Sequence, residues 1–150
     1  INHNIKPEIF LDYVHNINID KLNSNPILDK ELSKISGKKI VFTNGSLYHA
    51  ERILNKLSIR NNFDGIFDIK MSNYIPKPDV APYINVMKKY NIDPSLTIMI
   101  DDIPVNLKTA KELGIKTILI NNKIKRYPYI DIQIKNLTQF INLINEEFNE

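Results

Sequence analysis

Four short apolar runs punctuate this chain, and between them lie segments whose apolar residues recur at helical spacing. The runs are KKIVFT (38–43), FDGIFDI (63–69), LTIMI (96–100) and KTILI (116–120). Each is too short for a helix and is rich in β-branched or aliphatic residues, so each reads as a buried strand; the FDGIFDI run is the weakest of the four. The helical segments carry their own start and stop signals. Pro7 opens a helix with Ile9, Phe10, Tyr13 and Val14 on one face. Pro26 opens a second that buries Leu28, Leu32 and Ile35 and stops near Gly37. LYHAERILNKL places Ala50, Ile53, Leu54 and Leu57 together, and a helix capped by Asp79 turns Val80, Tyr83, Ile84 and Met87 inward. Pro104 stands early in a helix with Leu107, Ala110 and Leu113, closed by Gly114. The tail aligns Leu137, Phe140, Ile141, Ile144 and Phe148. Strands alternating with helices predict an α/β fold with a doubly wound parallel sheet, which binds ligands beyond the carboxyl ends of its strands.

A chain of 150 residues is long enough to bury about 68–70% of its unfolded surface. Its formal charge of +3 comes from scattered lysines, which argues against a nucleic-acid or polybasic membrane role. With no cysteine, disulfides and thiolate metal sites are excluded, leaving oxygen and imidazole as ligands. No apolar run approaches the ~18 residues of a membrane span, and INHNIKPEIF has no signal-peptide core. These features predict a cytoplasmic protein. The start at Ile1 rather than methionine suggests that residues precede it.

The polar residues that matter stand at strand ends: Thr43-Asn44-Gly45-Ser46 after the first run, Lys77 after the second, Asp101-Asp102 after the third. All three are expected to face one crevice. Each alone has an ordinary explanation: a turn hydroxyl and an Asn-Gly turn, a solvated loop lysine, a turn carboxylate with an N-cap. A single N-cap accounts for one aspartate, however, and the other would be left charged at the mouth of a buried strand. Oxygen ligands suit Mg²⁺, which takes one or two carboxylates together with waters and a substrate phosphate. Thr43 and the N–H groups after Gly45 can hold phosphate oxygens, and Lys77 can neutralise them. Such an electrostatic cradle suits phosphoryl transfer.

VFTNGS, PKP and IMIDDIPVNLKTAKELGIKTILI, in that order, resemble motifs two, three and four of the haloacid dehalogenase (HAD) superfamily of aspartate-nucleophile hydrolases. YVHNINIDKL, GKKIVFTNGSLYHAERIL and FDGIFDI look like its pyrimidine 5'-nucleotidase branch. The resemblance implies a HAD-like Rossmannoid core over 23–150 and the end of a helical cap over 1–22. It implies that Thr43, with the backbone at Asn44 and Gly45, binds the phosphoryl group. Lys77 would bridge that group and the nucleophile. Asp102 would ligate Mg²⁺, and Asp101 would support it through water or by orienting Lys77. The implied substrate is a nucleoside 5'-monophosphate, hydrolysed through an aspartyl-phosphate intermediate. His49 would be a hydrogen-bonded structural histidine; His15 and Tyr13 would pack, with contact to a base as the alternative. Asn106 would hold the Asp loop or lie on an exposed helix face, and His3 would be solvated.

The family's first motif, Asp-x-Asp after a strand, does not occur in the sequence. Asp68-Ile69-Lys70 and Asp131-Ile132-Gln133 follow apolar residues but lack the second aspartate. The expectation is therefore a truncated, catalytically silent phosphatase. Its first central strand would be missing, and its two inner strands, ending at Thr43 and Asp101, would pair directly or accept a strand from a homodimer partner. Two other readings stand beside it. One is a non-catalytic phosphate- or Mg²⁺-binding module completed by another chain. The other is a 2-haloacid dehalogenase, which needs no metal and leaves the aspartate pair unexplained.

Overall fold

The protein is described by a computed structural model over residues 6–122 and 125–140. Its chain forms two compact units, residues 1–75 and 76–150.

The first unit contains helices α1 (Pro7–His15), α2 (Pro26–Lys34) and α3 (Leu47–Lys56) and strands β1 (Ile40–Phe42) and β2 (Gly65–Phe67). The two strands run parallel, from Ile40 opposite Gly65 to Phe42 opposite Phe67. An aspartate fixes each end of this ladder. At the start, Asp64 accepts the Lys39 N–H through its carboxylate at 2.7 Å, and its own N–H donates to the Lys39 carbonyl at 2.8 Å. At the finish, the buried Asp68 accepts the Leu47 N–H at 3.0 Å and the Met71 N–H at 3.1 Å. It thereby satisfies a donor that the first turn of α3 leaves without a helical partner. Phe42 and Phe67 meet edge to face at 5.7 Å.

α1 forms where its opening proline predicts, but the buried position is Leu11, whereas Ile9, Phe10, Tyr13 and Val14 are all exposed. In a helix this short, apolar residues at spacings of three and four occupy more than one stripe, and only packing selects among them. On α2 Leu32 is buried and Leu28 and Ile35 half-buried; α3 buries Ala50 and Leu54 and half-buries Ile53 and Leu57.

The second unit contains α4 (Val80–Tyr90), β3 (Ile98–Asp101), α5 (Pro104–Glu112), β4 (Lys116–Ile120) and β5 (Ile132–Ile134). Its three strands are parallel in the order β3-β4-β5. The third strand, β5, is absent from the sequence-based expectation because its centre is Gln133 and its length gives no periodicity to read. Asp79 caps α4 by accepting the Ala81 N–H at 2.9 Å, and Asn91 ends it in the left-handed conformation. Tyr83 and Val86 are buried, but Val80 and Ile84 are exposed, contrary to the inward face expected. Leu107, Ala110, Ile118 and Leu119 form the driest part of this unit. In the tail, helix begins at 137 with Leu137 half-buried and Phe140 buried; Ile141, Ile144 and Phe148 lie outside the described residues, as does His3.

The α/β architecture with parallel strands therefore holds. Among the described residues the ladders form two separate sheets, β1-β2 in the first unit and β3-β4-β5 in the second. No helix of the described residues is long and apolar enough to cross a membrane.

Candidate active site

The strongest electrostatic feature lies at the carboxyl end of β3. Lys77 Nζ and Asp101 Oδ2 are 2.8 Å apart, and the two side chains retain only 8% and 6% of their exposure. Asp101 Oδ1 also accepts the Ile103 N–H at 2.8 Å, and the Asn106 amide reaches both oxygens at 3.2 and 3.1 Å. A carboxylate offers about four acceptor positions, and four contacts occupy them here. Asp101 is thus held in place and committed to its protein partners. Asp102 is exposed. Of the two carboxylates, it is the one with free coordinating capacity.

Asn106 is buried and braces Asp101, so it does not lie on an exposed helix face. It is itself fixed through its carbonyl, which accepts the Tyr83 hydroxyl at 2.8 Å. Burial, and then the nearby Asp101 carboxylate, push the Tyr83 phenol well above its ordinary range, so it remains a neutral donor.

The second grouping follows β1. Thr43 continues the ladder by donating its N–H to the Phe67 carbonyl at 3.0 Å. Its hydroxyl oxygen accepts the Gly45 N–H at 2.9 Å, closing a tight turn. Asn44 is exposed at the tip. Gly45 is needed for space: a Cβ there would lie 3.2 Å from Thr43 Oγ1 and 3.4 Å from the His15 ring. Ser46, buried, caps α3 by accepting the His49 N–H at 3.3 Å. Within the first unit the structure thus brings Thr43, Asn44 and Gly45 together, and within the second it brings Lys77 to Asp101.

Two histidines flank the Thr43 turn. The His15 and His49 rings stack at 4.3 Å, tilted by 14°. His49 is hydrogen-bonded to the His15 backbone, as the expected structural role requires, whereas its Nδ1 is buried with no hydrogen-bond partner among the described residues. Burial, then the charges of His15 and Arg52, lower the His49 pKa, outweighing the hydrogen bond with the His15 backbone, which raises it. A histidine with a depressed folded pKa takes up fewer protons than the unfolded chain once pH falls below 6.5. Stability therefore declines from there until the folded pKa is passed. Denaturant midpoints measured between pH 7.5 and 5 are expected to fall, and less steeply in His49→Gln; equal slopes would exclude His49 as the source.

Two aspartates that the sequence singles out have structural tasks. Asp68 holds α3, as described above. Asp131 precedes β5 at the amino end of the sheet, where it pairs with Lys111 at 2.5 Å and accepts the Thr117 N–H at 2.8 Å. Burial works to raise the Asp131 pKa, but the bonds from Lys111 and Thr117 outweigh it and hold the carboxyl below its ordinary value. A cleft of about 260 Å³ beside it, lined by Ser95, Gly114 and Lys116 among others, lies at the wrong end of the strands for a ligand site of this fold. A larger cleft of about 460 Å³ is lined by His15, Asn16, Tyr48 and Arg52.

No group of three or more potential metal-ligating side chains occurs among the described residues. The donors after β3 nevertheless suit a hard cation that keeps most of its waters: one open carboxylate at Asp102, beside an aspartate held by a lysine.

The family model for haloacid dehalogenase-like hydrolases matches residues 7–114. Similar solved structures include a dehalogenase, 18% identical with a TM-score of 0.69, matched over 79% of this chain and 53% of its own. A HAD phosphatase from Thermococcus onnurineus is 21% identical with a TM-score of 0.67, over 94% of this chain and 65% of its own. A Bacillus subtilis protein described as a HAD hydrolase and solved bound to magnesium is 19% identical with a TM-score of 0.68, over 77% and 54%. The chain thus spans between about half and two thirds of the length of these structures.

Proposed function

We propose, from the premise that the chain belongs to the haloacid dehalogenase-like hydrolases, that its residues serve Mg²⁺-dependent phosphomonoester hydrolysis. The proposed substrate is a nucleoside 5'-monophosphate, and the route an aspartyl-phosphate intermediate. The observation that carries this reading is the saturation of Asp101 by Lys77, Asn106 and the Ile103 N–H. It leaves Lys77 positioned and Asp102 open, a division of labour that a metal-free dehalogenation would not require.

Each group has a role that follows from its chemistry. The Thr43 oxygen accepts from Gly45, so its own hydrogen is free to donate to a phosphoryl oxygen. The turn at Asn44 and Gly45 brings backbone to the same oxygens. Lys77 supplies positive charge against the phosphoryl group, and Asp101 holds its ammonium in one place. Asp102 would hold Mg²⁺, which when bound supplies further charge neutralisation. No Asp-x-Asp occurs within the 150 residues, so this reading requires a nucleophile and general acid that they do not supply. The pyrimidine nucleotidase branch rests on the TNG…HAER segment and on FDGIFDI. The dehalogenase reading has similar structures in its favour, and it predicts indifference to Mg²⁺.

Titration of the chain with Mg²⁺ and inorganic phosphate tests this. Phosphate binding is expected to tighten with Mg²⁺, and Asp102→Asn to remove that dependence while leaving the unfolding midpoint unchanged, because Asp102 is exposed. Unaltered Mg²⁺ dependence in the variant, or none in the parent, would exclude the assignment.

A further inference from the structure

Asn44 and Gly45 form the sole Asn-Gly pair of the sequence, and the asparagine is exposed at the tip of the turn after β1. Asparagine before glycine carries a chemical hazard of its own. The glycine nitrogen can attack the asparagine side-chain carbonyl, because no Cβ hinders the approach or restricts the backbone that must bend to make it. In that step the Gly45 nitrogen gives up its proton and bonds to Asn44 Cγ, the Cγ–Nδ2 bond breaks, and ammonia leaves with the proton. Water then opens the five-membered imide at either carbonyl and leaves aspartate or isoaspartate at 44.

The fold opposes ring closure on three sides. The Gly45 N–H donates to Thr43 Oγ1 at 2.9 Å, an ordinary hydrogen-bond length, so the attacking nitrogen is already engaged. The Gly45 carbonyl accepts the Ile69 N–H at 3.2 Å, which fixes the peptide on the other side of the same Cα. The His15 ring fills the space beside that Cα, 3.4 Å from where a Cβ would stand. The same crowding, with Thr43 Oγ1 at 3.2 Å, favours glycine at 45, so the hazard is tied to the tightness of the turn.

We propose that Asn44-Gly45 is a deamidation site held in check by the fold, with Thr43 as its guard through the Gly45 N–H. Modification then waits on local opening of the turn, since the hydrogen bond must break and the peptide rotate before the nitrogen reaches Cγ. This chemistry belongs to the chain itself and stands independently of the phosphoryl reading. Its product bears on that reading, because a carboxylate at 44 sets a new negative charge on the turn and opposes an anion there.

The test follows conversion at 44 by mass spectrometry of the peptide 40–52, which trypsin releases between Lys39 and Arg52. The intact chain and a synthetic peptide of the same residues are first incubated side by side at mildly alkaline pH. The folded chain is expected to convert several-fold more slowly than the peptide. Thr43→Val keeps the side-chain shape without the acceptor and is expected to speed conversion about fivefold, the order that one net hydrogen bond supplies. Thr43→Ser keeps the acceptor and the parent rate. Amide exchange is expected to find the Gly45 N–H protected in the parent and released in Thr43→Val, while the Ala50 N–H, bonded to the Ser46 carbonyl, stays protected in both. Conversion in Thr43→Val no faster than in the parent, or a parent that converts as fast as the peptide, overturns the proposal. Where Thr43→Val folds poorly, the parent alone decides: a Gly45 N–H that exchanges as freely as in the peptide overturns the guard.

Discussion

Joining a hydrophobic strand that carries Asp-x-Asp to this chain is expected to turn undetectable hydrolysis of a nucleoside monophosphate into measurable turnover. On the proposed reading Thr43, Lys77 and Asp102 would each stabilise charge, but none would be the nucleophile that attacks phosphorus, and electrostatic stabilisation alone transfers nothing. In the active fusion, Lys77→Ala is expected to lower kcat/KM by about 10²–10³-fold, the range seen when one preorganised charge-stabilising group is removed. Asp102→Asn should act through its Mg²⁺ dependence, so that raising Mg²⁺ restores part of the rate in that variant and none in Lys77→Ala. Robust turnover by the 150-residue chain itself would overturn the reading. So would a fusion that gains stability and no activity.

The largest effect on folding is expected at Asp101. Its carboxylate accepts from Lys77, the Ile103 N–H and Asn106 while almost fully out of water. Removing one member of a buried ion pair typically costs ~3–5 kcal/mol, because the other charge stays buried with its compensation lost. Asp101→Ala should fall in that range by denaturant unfolding. Lys77→Met should cost less, since Asp101 keeps the Ile103 and Asn106 donors. The double change Lys77→Met with Asp101→Leu should cost well under the sum, since neither charge remains. Strict additivity, or a loss below ~1 kcal/mol for Asp101→Ala, the scale of an exposed pair, would show that the pair is hydrated in solution.

The strand and helix alternation was legible because each strand of the β1, β3 and β4 type is a dense aliphatic run and each helix opens on Pro, Ser or Asp. β5 was not, since a three-residue strand centred on Gln133 has no pattern of its own. Leu11 is buried while four neighbours that look equally apolar lie exposed, a distinction that depends on packing and not on pattern. The residues after β1, β2 and β3 were visible as strand-end polar groups. What the sequence left undecided was how they divide the work. That Asn106 holds Asp101, and that Asp68 serves the start of a helix 21 residues before it, depends on contacts between separate elements. His15 is the clearest case: the sequence reading expects it to pack, and only the fold stacks its ring on His49 and brings its edge against Gly45.

The two aspartate clamps on the β1-β2 ladder also bear on the order in which the first unit acquires its structure. A parallel pair of three-residue strands cannot form until the whole of α3 has crossed over, so the loop-closure entropy precedes the reward of the ladder. Asp64 and Asp68 act only once both strand ends are in register, one holding Lys39 and the other the start of α3. Contacts of that kind are expected to form after the rate-limiting step of folding and so to break before the transition state of unfolding. They are then expected to lengthen the lifetime of the folded unit while leaving the speed of its formation to the helices, so the persistence of this short sheet would rest on two carboxylates at its corners.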